Sequence, residues 1–331
     1  MRPFEYASPE TEHEALELMT GGSGDSALLA GGTDLISLMQ RDVLHPDRVV
    51  DVKKIESMRG VVPVDDGLMI GALTTLEDLR DEPLAAQHHG LLHVVDGVRA
   101  IQIQSMGTLG GDLCHLPNCW YFRNGYGLLA MEDGESLVES GDNRYHAIFA
   151  NQGPAKFVSA SRFAPPLIAW GARVRVIGPQ PGDEEWLPVE FFLQTPRTDR
   201  QGVTVLKEGQ LVSHLWVPNA LQTRSATYDV MQLEGLDWPL ASASVCLDLE
   251  GGLVRKARVV LGHVAPIPWV SHAAAEVLVG QPVTEATADL AGQAAVTGAS
   301  PLSHNEYRVR LARTAVKRAI LKATDQLEGG L

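Results

Sequence analysis

The chain has 331 residues, 45% of them apolar and 21% charged, which suits a water-soluble globular protein with two lobes better than one with a single core. Twenty-seven basic against forty-one acidic side chains leave a net charge of −14, which argues against nucleic acid or an anionic membrane surface as a partner. There is no run of the ~18 apolar residues a membrane span needs, residues 1–10 show no export-type pattern, and three cysteines are too few for a disulfide framework, so a cytoplasmic setting is expected.

Ser8 is placed to cap a first helix, with Pro9 at its first position and Glu10 and Glu12 at its positive end. Ala15, Leu16, Leu18 and Met19 give that helix an apolar face, and Gly21-Gly22 stops it. A strand at 27–30, the turn Gly31-Gly32-Thr33-Asp34, a helix carrying Leu35, Ile36, Leu38 and Met39, and a strand at 48–52 make a small α/β unit. A strand at 68–70 and helices around Leu76 and Leu91 lead to a second glycine pair in Thr108-Leu109-Gly110-Gly111-Asp112. Residues 113–157 read as a long ordered loop, after which an apolar stretch at 165–170 and a strand at 173–177 restore regular structure. Residues 179–185 form a Pro/Gly/acidic hairpin loop. The composition turns polar near 218–225, which sets a domain boundary between 1–219 and 220–331, the first part dividing near residue 57 into 1–57 and 58–219. Beyond it, strands at 226–231, 242–249 and 254–262, joined by Leu-Glu-Gly and Glu-Gly-Gly turns, predict a three-stranded meander. Helices at 273–278, 284–295 and 306–323 follow.

The two glycine pairs carry the functional signal. Paired glycines after short strands leave backbone N–H groups open and let a bulky anion approach the main chain. Thr33 and Thr108 add hydroxyls, and the helix after Gly32 turns its positive end toward the turn. Either pair alone reads first as an ordinary tight turn; the two together favour a shared pyrophosphate. Neither matches the G-x-G-x-x-G dinucleotide fingerprint, and no G-x-x-x-x-G-K-[ST] occurs.

"LLAGGTDL" (28–35), "HPDRVVDVKKI" (45–55), "LMIGALTT" (68–75), "IQIQSMGTLGGDL" (101–113), "EGQLVSHLWVP" (208–218) and "ARVVLGHVAPIPW" (257–269) together resemble the FAD-binding, medium subunit of the molybdenum hydroxylases. The resemblance runs in order over nearly the whole chain. It implies an α+β protein: a vanillyl-alcohol-oxidase-like (PCMH-type) FAD domain in two α/β subdomains, followed by a three-stranded antiparallel sheet with a helical bundle. It also implies that Leu29, Ala30, Gly31, Gly32, Thr33, Asp34 and Leu35, with Thr108, Leu109, Gly110, Gly111 and Asp112, wrap the FAD pyrophosphate and ribityl chain, and that Leu211 or its neighbour touches the flavin. Electrons would arrive from a molybdopterin-binding large subunit through a two-iron two-sulfur small subunit and leave to an external acceptor. The cofactor would do the redox chemistry, so no catalytic side chain is assigned.

The chain departs from this family at several points. Asp112 stands where Asn is usual; it can only accept, and is expected to turn toward backbone amides or a hydroxyl. Arg162, in Ser161-Arg162-Phe163, replaces an acid and either meets a phosphate or is a solvated surface arginine. Tyr228-Asp229 replaces an aromatic followed by Lys, and Glu234 a base; Tyr228 either meets the ring or is an ordinary half-buried strand residue. The segment 118–149 resembles an insertion that carries a four-iron cluster in some relatives, but three cysteines cannot supply four thiolates. His115 and His146 with Cys114 and Cys119 match no zinc spacing, and Trp120, Tyr121 and Phe122 are expected to pin the loop. Two alternatives remain open at this level. One is a self-sufficient flavin oxidase, though not one with FAD attached through a His in the first turn, where Thr33 stands. The other is an assembly subunit with a decayed flavin site, prompted by Asp112, Arg162 and Asp229.

Overall fold

The computed structural model describes residues 1–21, 24–220, 222–233 and 237–327. Strands β1 (Glu5–Ala7), β2 (Ser26–Leu29) and β3 (Arg48–Asp51) form a parallel sheet with β3 at its centre. β1 gave no sequence signal, because a three-residue edge strand with two exposed side chains has no alternation to read. The first helix spans Glu12–Thr20 and its cap is Thr11, not Ser8: Thr11 Oγ1 accepts from the Glu14 amide at 3.2 Å. Pro9 and Glu10 consequently lie outside it. Gly21 ends the helix, its N–H reaching Glu17 O at 2.8 Å; Gly22, the other half of the expected stop, and Glu234, in the turn expected after the strand at 226–231, lie outside the described residues. The helix Leu35–Gln40 joins β2 to β3, completing the predicted α/β unit.

β4 (Val61–Val64) and β5 (Gly67–Gly71) open a second sheet, and the chain leaves it through helices Leu76–Asp81, His89–Gly97 and Ile101–Met106. Residues 113–157 are more structured than the loop expected from sequence. They hold a helical turn at Trp120–Arg123, a ribbon of β6 (Met131–Glu132) and β7 (Glu135–Ser136), and a turn at Leu137–Ser140. Elements of two to four residues are too short to show a period. Cys119, Phe122, Leu129, Ala155 and Phe157 close a small core with Leu38 and Val203, tying this segment to the first lobe. Trp120 packs edge-on against Tyr145, ring centroids 5.3 Å apart.

The helix Ala164–Trp170 is buried at every position and ends at Gly171, whose φ of 73° suits glycine. β8 (Arg173–Ile177), β9 (Glu184–Pro188) and β10 (Leu211–Pro218) complete the second sheet in the order β4-β5-β10-β8-β9, all antiparallel. The expected hairpin loop connects β8 to β9.

β11 (Thr223–Val230), β12 (Ala241–Glu250) and β13 (Leu253–Gly262) form the predicted meander, and β14 (Trp269–Val270) adds a fourth short strand at its edge. Helices His272–Leu278 and Tyr307–Ala323 pack over this sheet, and Glu285–Ala295 packs against both of them. Neighbouring residues of β12 serve different cores: Ala243, Val245 and Leu247 join the C-terminal core, whereas Cys246 joins that of the preceding sheet. Helix His89–Gly97 lies against β11, with the Gly90 N–H donating to Ser225 Oγ (3.0 Å) and Thr227 Oγ1 donating to Gly90 O (2.8 Å). A Cβ on Gly90 would lie 3.4 Å from the Ser225 side chain, an ordinary van der Waals contact, so the seam is close-packed there. Among the described residues, no helix is long and apolar enough to cross a membrane.

Candidate functional site

The two glycine turns, far apart in sequence, touch. A Cβ on Gly31 would fall 1.7 Å from Met106 O and 3.2 Å from Gly107 Cα, so only glycine allows the approach. Gly32 has a φ of 71°, a left-handed conformation that again favours glycine. Among the described residues, nothing accepts a hydrogen bond from the N–H groups of Gly31, Gly32 or Thr33. Those donors are what an anion needs.

The second turn works differently from the sequence expectation. It follows the helix Ile101–Met106 rather than a strand, and forms one helical turn, Leu109–Leu113, capped by Thr108. Four of its five N–H groups are already used: Leu109 to Thr74 O (3.0 Å), Gly110 to Ala72 O (2.9 Å), Gly111 to Thr108 Oγ1 (3.1 Å) and Asp112 to Thr108 O (2.9 Å). Gly110 is required for packing, since its Cβ would lie 2.7 Å from the Ala72 methyl. The second turn therefore supplies shape, and the first supplies donors.

Between them lies a cavity of about 240 Å³. Ala30, Gly31, Gly32, Thr33, Asp34 and Leu35 line it from the first turn, and Thr108, Gly111 and Asp112 from the second, with Arg162 beside them. The remaining predicted residues do not line it. Leu29 ends β2, Leu109 is buried in the core, and Gly110 faces Ala72. Leu211 is a core residue of β10 paired with Ile177. Tyr228 packs beside the C-terminal core; its hydroxyl accepts from Arg318, whose guanidinium lies over its ring.

All three carboxylates lining the cavity are engaged by donors, Asp237 by the Trp238 amide at 3.0 Å. Asp112 accepts from Ser161 Oγ (2.5 Å) and from the amides of Phe163 (2.9 Å) and Arg162 (3.2 Å), the hydroxyl-and-amide environment expected of it. Asp34 accepts from Arg123 Nη1 (2.5 Å) and the Leu116 amide (3.3 Å). Arg123 in turn donates to Pro117 O and Leu116 O, both at 2.9 Å. Asp34 thus anchors residues 115–123 rather than capping its own helix. Arg162 is neither a surface side chain nor unpaired: its Nη2 donates to Asp229 Oδ2 at 2.6 Å.

Sequence reasoning missed three residues here. Arg123 carries no assignment from sequence, although an arginine in an apolar-aromatic run is a signal for burial with a carboxylate. His115 lines the cavity and holds Leu116 O through Nδ1 at 2.6 Å. Trp238 enters from the C-terminal half and meets His115 edge-on at 5.6 Å; as a lone tryptophan in a turn, it had no partner visible in sequence. Burial pushes Cys114, also on the lining, up to about 12, so its thiol stays protonated. Cys119 lies 3.2 Å from His146, whose pKa burial lowers to about 4. Among the described residues, no three His, Cys, Asp or Glu side chains are grouped to hold a metal.

The lining fits a dinucleotide. It offers open main-chain donors where Gly31 has no Cβ, an apolar wall that includes Leu28, Leu38, Val98 and Ile103, one large aromatic face at Trp238, and a buried Arg162 Nε without a partner. The fold and cavity thus define a two-part dinucleotide-cofactor protein. Residues 2–220 match the family model described as the FAD binding domain in molybdopterin dehydrogenase, and residues 226–323 match that of the CO dehydrogenase flavoprotein C-terminal domain. The carbon monoxide dehydrogenase medium chain of Hydrogenophaga pseudoflava is 24% identical over 96% of this chain and 96% of its own length. The caffeine dehydrogenase subunit beta of a Pseudomonas species is 24% identical over 99% and 97%. A solved carbon monoxide dehydrogenase from Hydrogenophaga pseudoflava superposes with a TM-score of 0.76 at 25% identity, covering 98% of this chain and 99% of that one. The chain belongs to the FAD-binding, medium-subunit family of the molybdenum hydroxylases.

Proposed function

We propose that this chain is the FAD-holding electron-transfer subunit of a multi-subunit molybdenum hydroxylase. On this reading residues 1–219 hold the cofactor and residues 220–331 close the cavity from the other side. The observation that carries the proposal is the meeting of the two turns at Gly31 and Met106–Gly107, with the first turn's N–H groups left open toward the cavity.

Gly31, Gly32 and Thr33 would bind the diphosphate through main-chain N–H groups. Thr108 and Gly111 would bound it from the other side. Asp34 and Asp112 do not oppose the anion as free charges would, because Arg123 and the Ser161–Phe163 segment hold their oxygens. The leucine-rich wall excludes water, and Trp238 offers a flat face to a ring. Leu211 and Tyr228, off the lining, are left out of this set. Bound FAD would supply the redox chemistry, accepting electrons and passing them on.

The relatives are named as a medium chain and a subunit beta of dehydrogenases, which supports a chain that works in an assembly. The partners would be a molybdopterin-binding large subunit and a two-iron two-sulfur small subunit, with an external electron acceptor, in the cytoplasm. This chain's own cysteines are dispersed: Cys114 at the cavity, Cys119 in the loop core and Cys246 in β12. The test is to co-purify the full-length chain with the products of its neighbouring genes and identify the cofactors by chain. The reading expects FAD on this chain and the molybdenum and iron on the others; a complex with FAD bound elsewhere would refute it.

A further inference from the structure

Among the described residues, Arg162 is the only member of the cavity lining with a buried side-chain polar atom that lacks a hydrogen-bond partner, its Nε. Its side chain is 10% exposed. The residue is fixed from two directions. Its own amide donates to Asp112 in the second glycine turn (3.2 Å), and its Nη2 donates to Asp229 of β11 (2.6 Å). Gly97 makes the room, for a Cβ there would lie 2.9 Å from Nη2 and 3.2 Å from the Asp229 carboxylate.

The surrounding groups do not satisfy Nε. His263, near Arg162 and Arg308, is pushed down to about 3 by burial and then by those two cations, so it stays neutral at working pH. Arg308 spends its donors on the carbonyls of Leu240, His146 and His263. Lys322 faces Asp229 and Asp96. A buried N–H left unmade costs about 1–3 kcal/mol, so this one calls for an acceptor from the cavity.

Which acceptor follows from the division of labour around the cavity, given the FAD reading above. The diphosphate has the open main-chain donors of Gly31–Thr33. Arg162 instead sits where Asp229 brings the C-terminal sheet to the cavity, the half that also contributes Trp238. We propose that Arg162 sets the reduction potential of the flavin, its Nε–H donating to the pyrimidine edge of the ring, where negative charge gathers on reduction. Asp229 is the positioning residue: it holds the guanidinium in place and offsets part of its charge.

The experiment compares the full-length FAD-loaded chain with its Arg162→Gln and Asp229→Asn variants, measuring FAD affinity and reduction potential. Arg162→Gln is expected to keep FAD and lower the potential by about 30 mV, equivalent to a tenfold weaker hold on reduced relative to oxidised flavin for a two-electron couple. Asp229→Asn, which leaves the cation uncompensated, is expected to raise it. Shifts of opposite sign are what a purely structural pair would not give. Loss of FAD affinity with no change in the potential of what remains bound would place Arg162 on the diphosphate and overturn the proposal. So would unchanged potentials, or shifts of one sign in both variants. If Arg162→Gln does not fold, the sign given by Asp229→Asn decides alone. A wild-type chain that takes up no FAD would instead sink the functional reading beneath the proposal.

Discussion

Gly31 is the residue on which the two turns depend. Its φ is not the reason; the carbonyl of Met106 occupies the space a side chain would need. Gly31→Ala should therefore push the turns apart, costing about 1–3 kcal/mol by overpacking and weakening FAD binding more than a change of that size in stability would suggest. Urea unfolding and a fluorescence titration with FAD, run on the same protein, separate the two effects. Asp112 was readable from sequence in its chemistry: an acceptor-only side chain beside an anion site must find donors elsewhere, and it does. Arg162 was not, because the sequence shows neither Asp229 across the seam nor the space over Gly97. Buried histidines set the acid limit of the fold. Burial lowers His93 to about 3, His146 to about 4 and His263 to about 3, from an ordinary 6.5. All three are neutral in both states above that value, so their contribution is complete there. As pH falls below it the unfolded chain takes protons the folded chain refuses, and each ring then removes at most about 1.4 kcal/mol per pH unit. Urea midpoints should hold steady from pH 8 to 7 and fall from pH 6 to 4.5; a flat acid profile would mean these rings are charged or solvated in the folded chain.

Among the elements, residues 113–157 changed most between sequence and structure. The long strands and helices carried legible periods, and β8 and the helix Tyr307–Ala323 lie almost where their patterns put them. The loop's short turns did not, because they are held by contacts distant in sequence: Leu38 and Val203 in its core, and Asp34 across from Arg123. The same limit concealed the second glycine turn, where the helix Ile101–Met106 and the Thr108 cap replace the expected strand. Arg123→Ala leaves Asp34 partly buried without its counter-charge, and losses of ~3–5 kcal/mol are usual for such pairs. The expected result is faster proteolysis within 113–145, together with weaker FAD binding, since Asp34 then faces the cavity as an unpaired anion. Limited digestion followed by mass spectrometry checks the first, and a variant as resistant as wild type would mean the aromatic contacts alone hold the segment.

At the scale of the whole molecule, the C-terminal sheet completes the site as well as stabilising it. β12 shares its residues between two cores, Gly90 seats a helix on β11, Asp229 fixes Arg162, and Trp238 closes the cavity. That interlocking predicts one cooperative thermal transition for the chain, which calorimetry can check; two separate transitions would mean the seam is weak and the cavity poorly defined without a partner. The order of the lobes was legible because turn and period signals are local, whereas the closure of the cavity by the second lobe was not, since it rests on contacts across the seam. The most direct test of the account is a titration of the full-length wild-type chain with FAD, followed by its visible spectrum and by competition with inorganic pyrophosphate. Saturable uptake of one FAD per chain, displaced by pyrophosphate and weakened by Gly31→Ala, is the predicted result. Uptake that is indifferent to both the competitor and the substitution would contradict a diphosphate held between the two glycine turns.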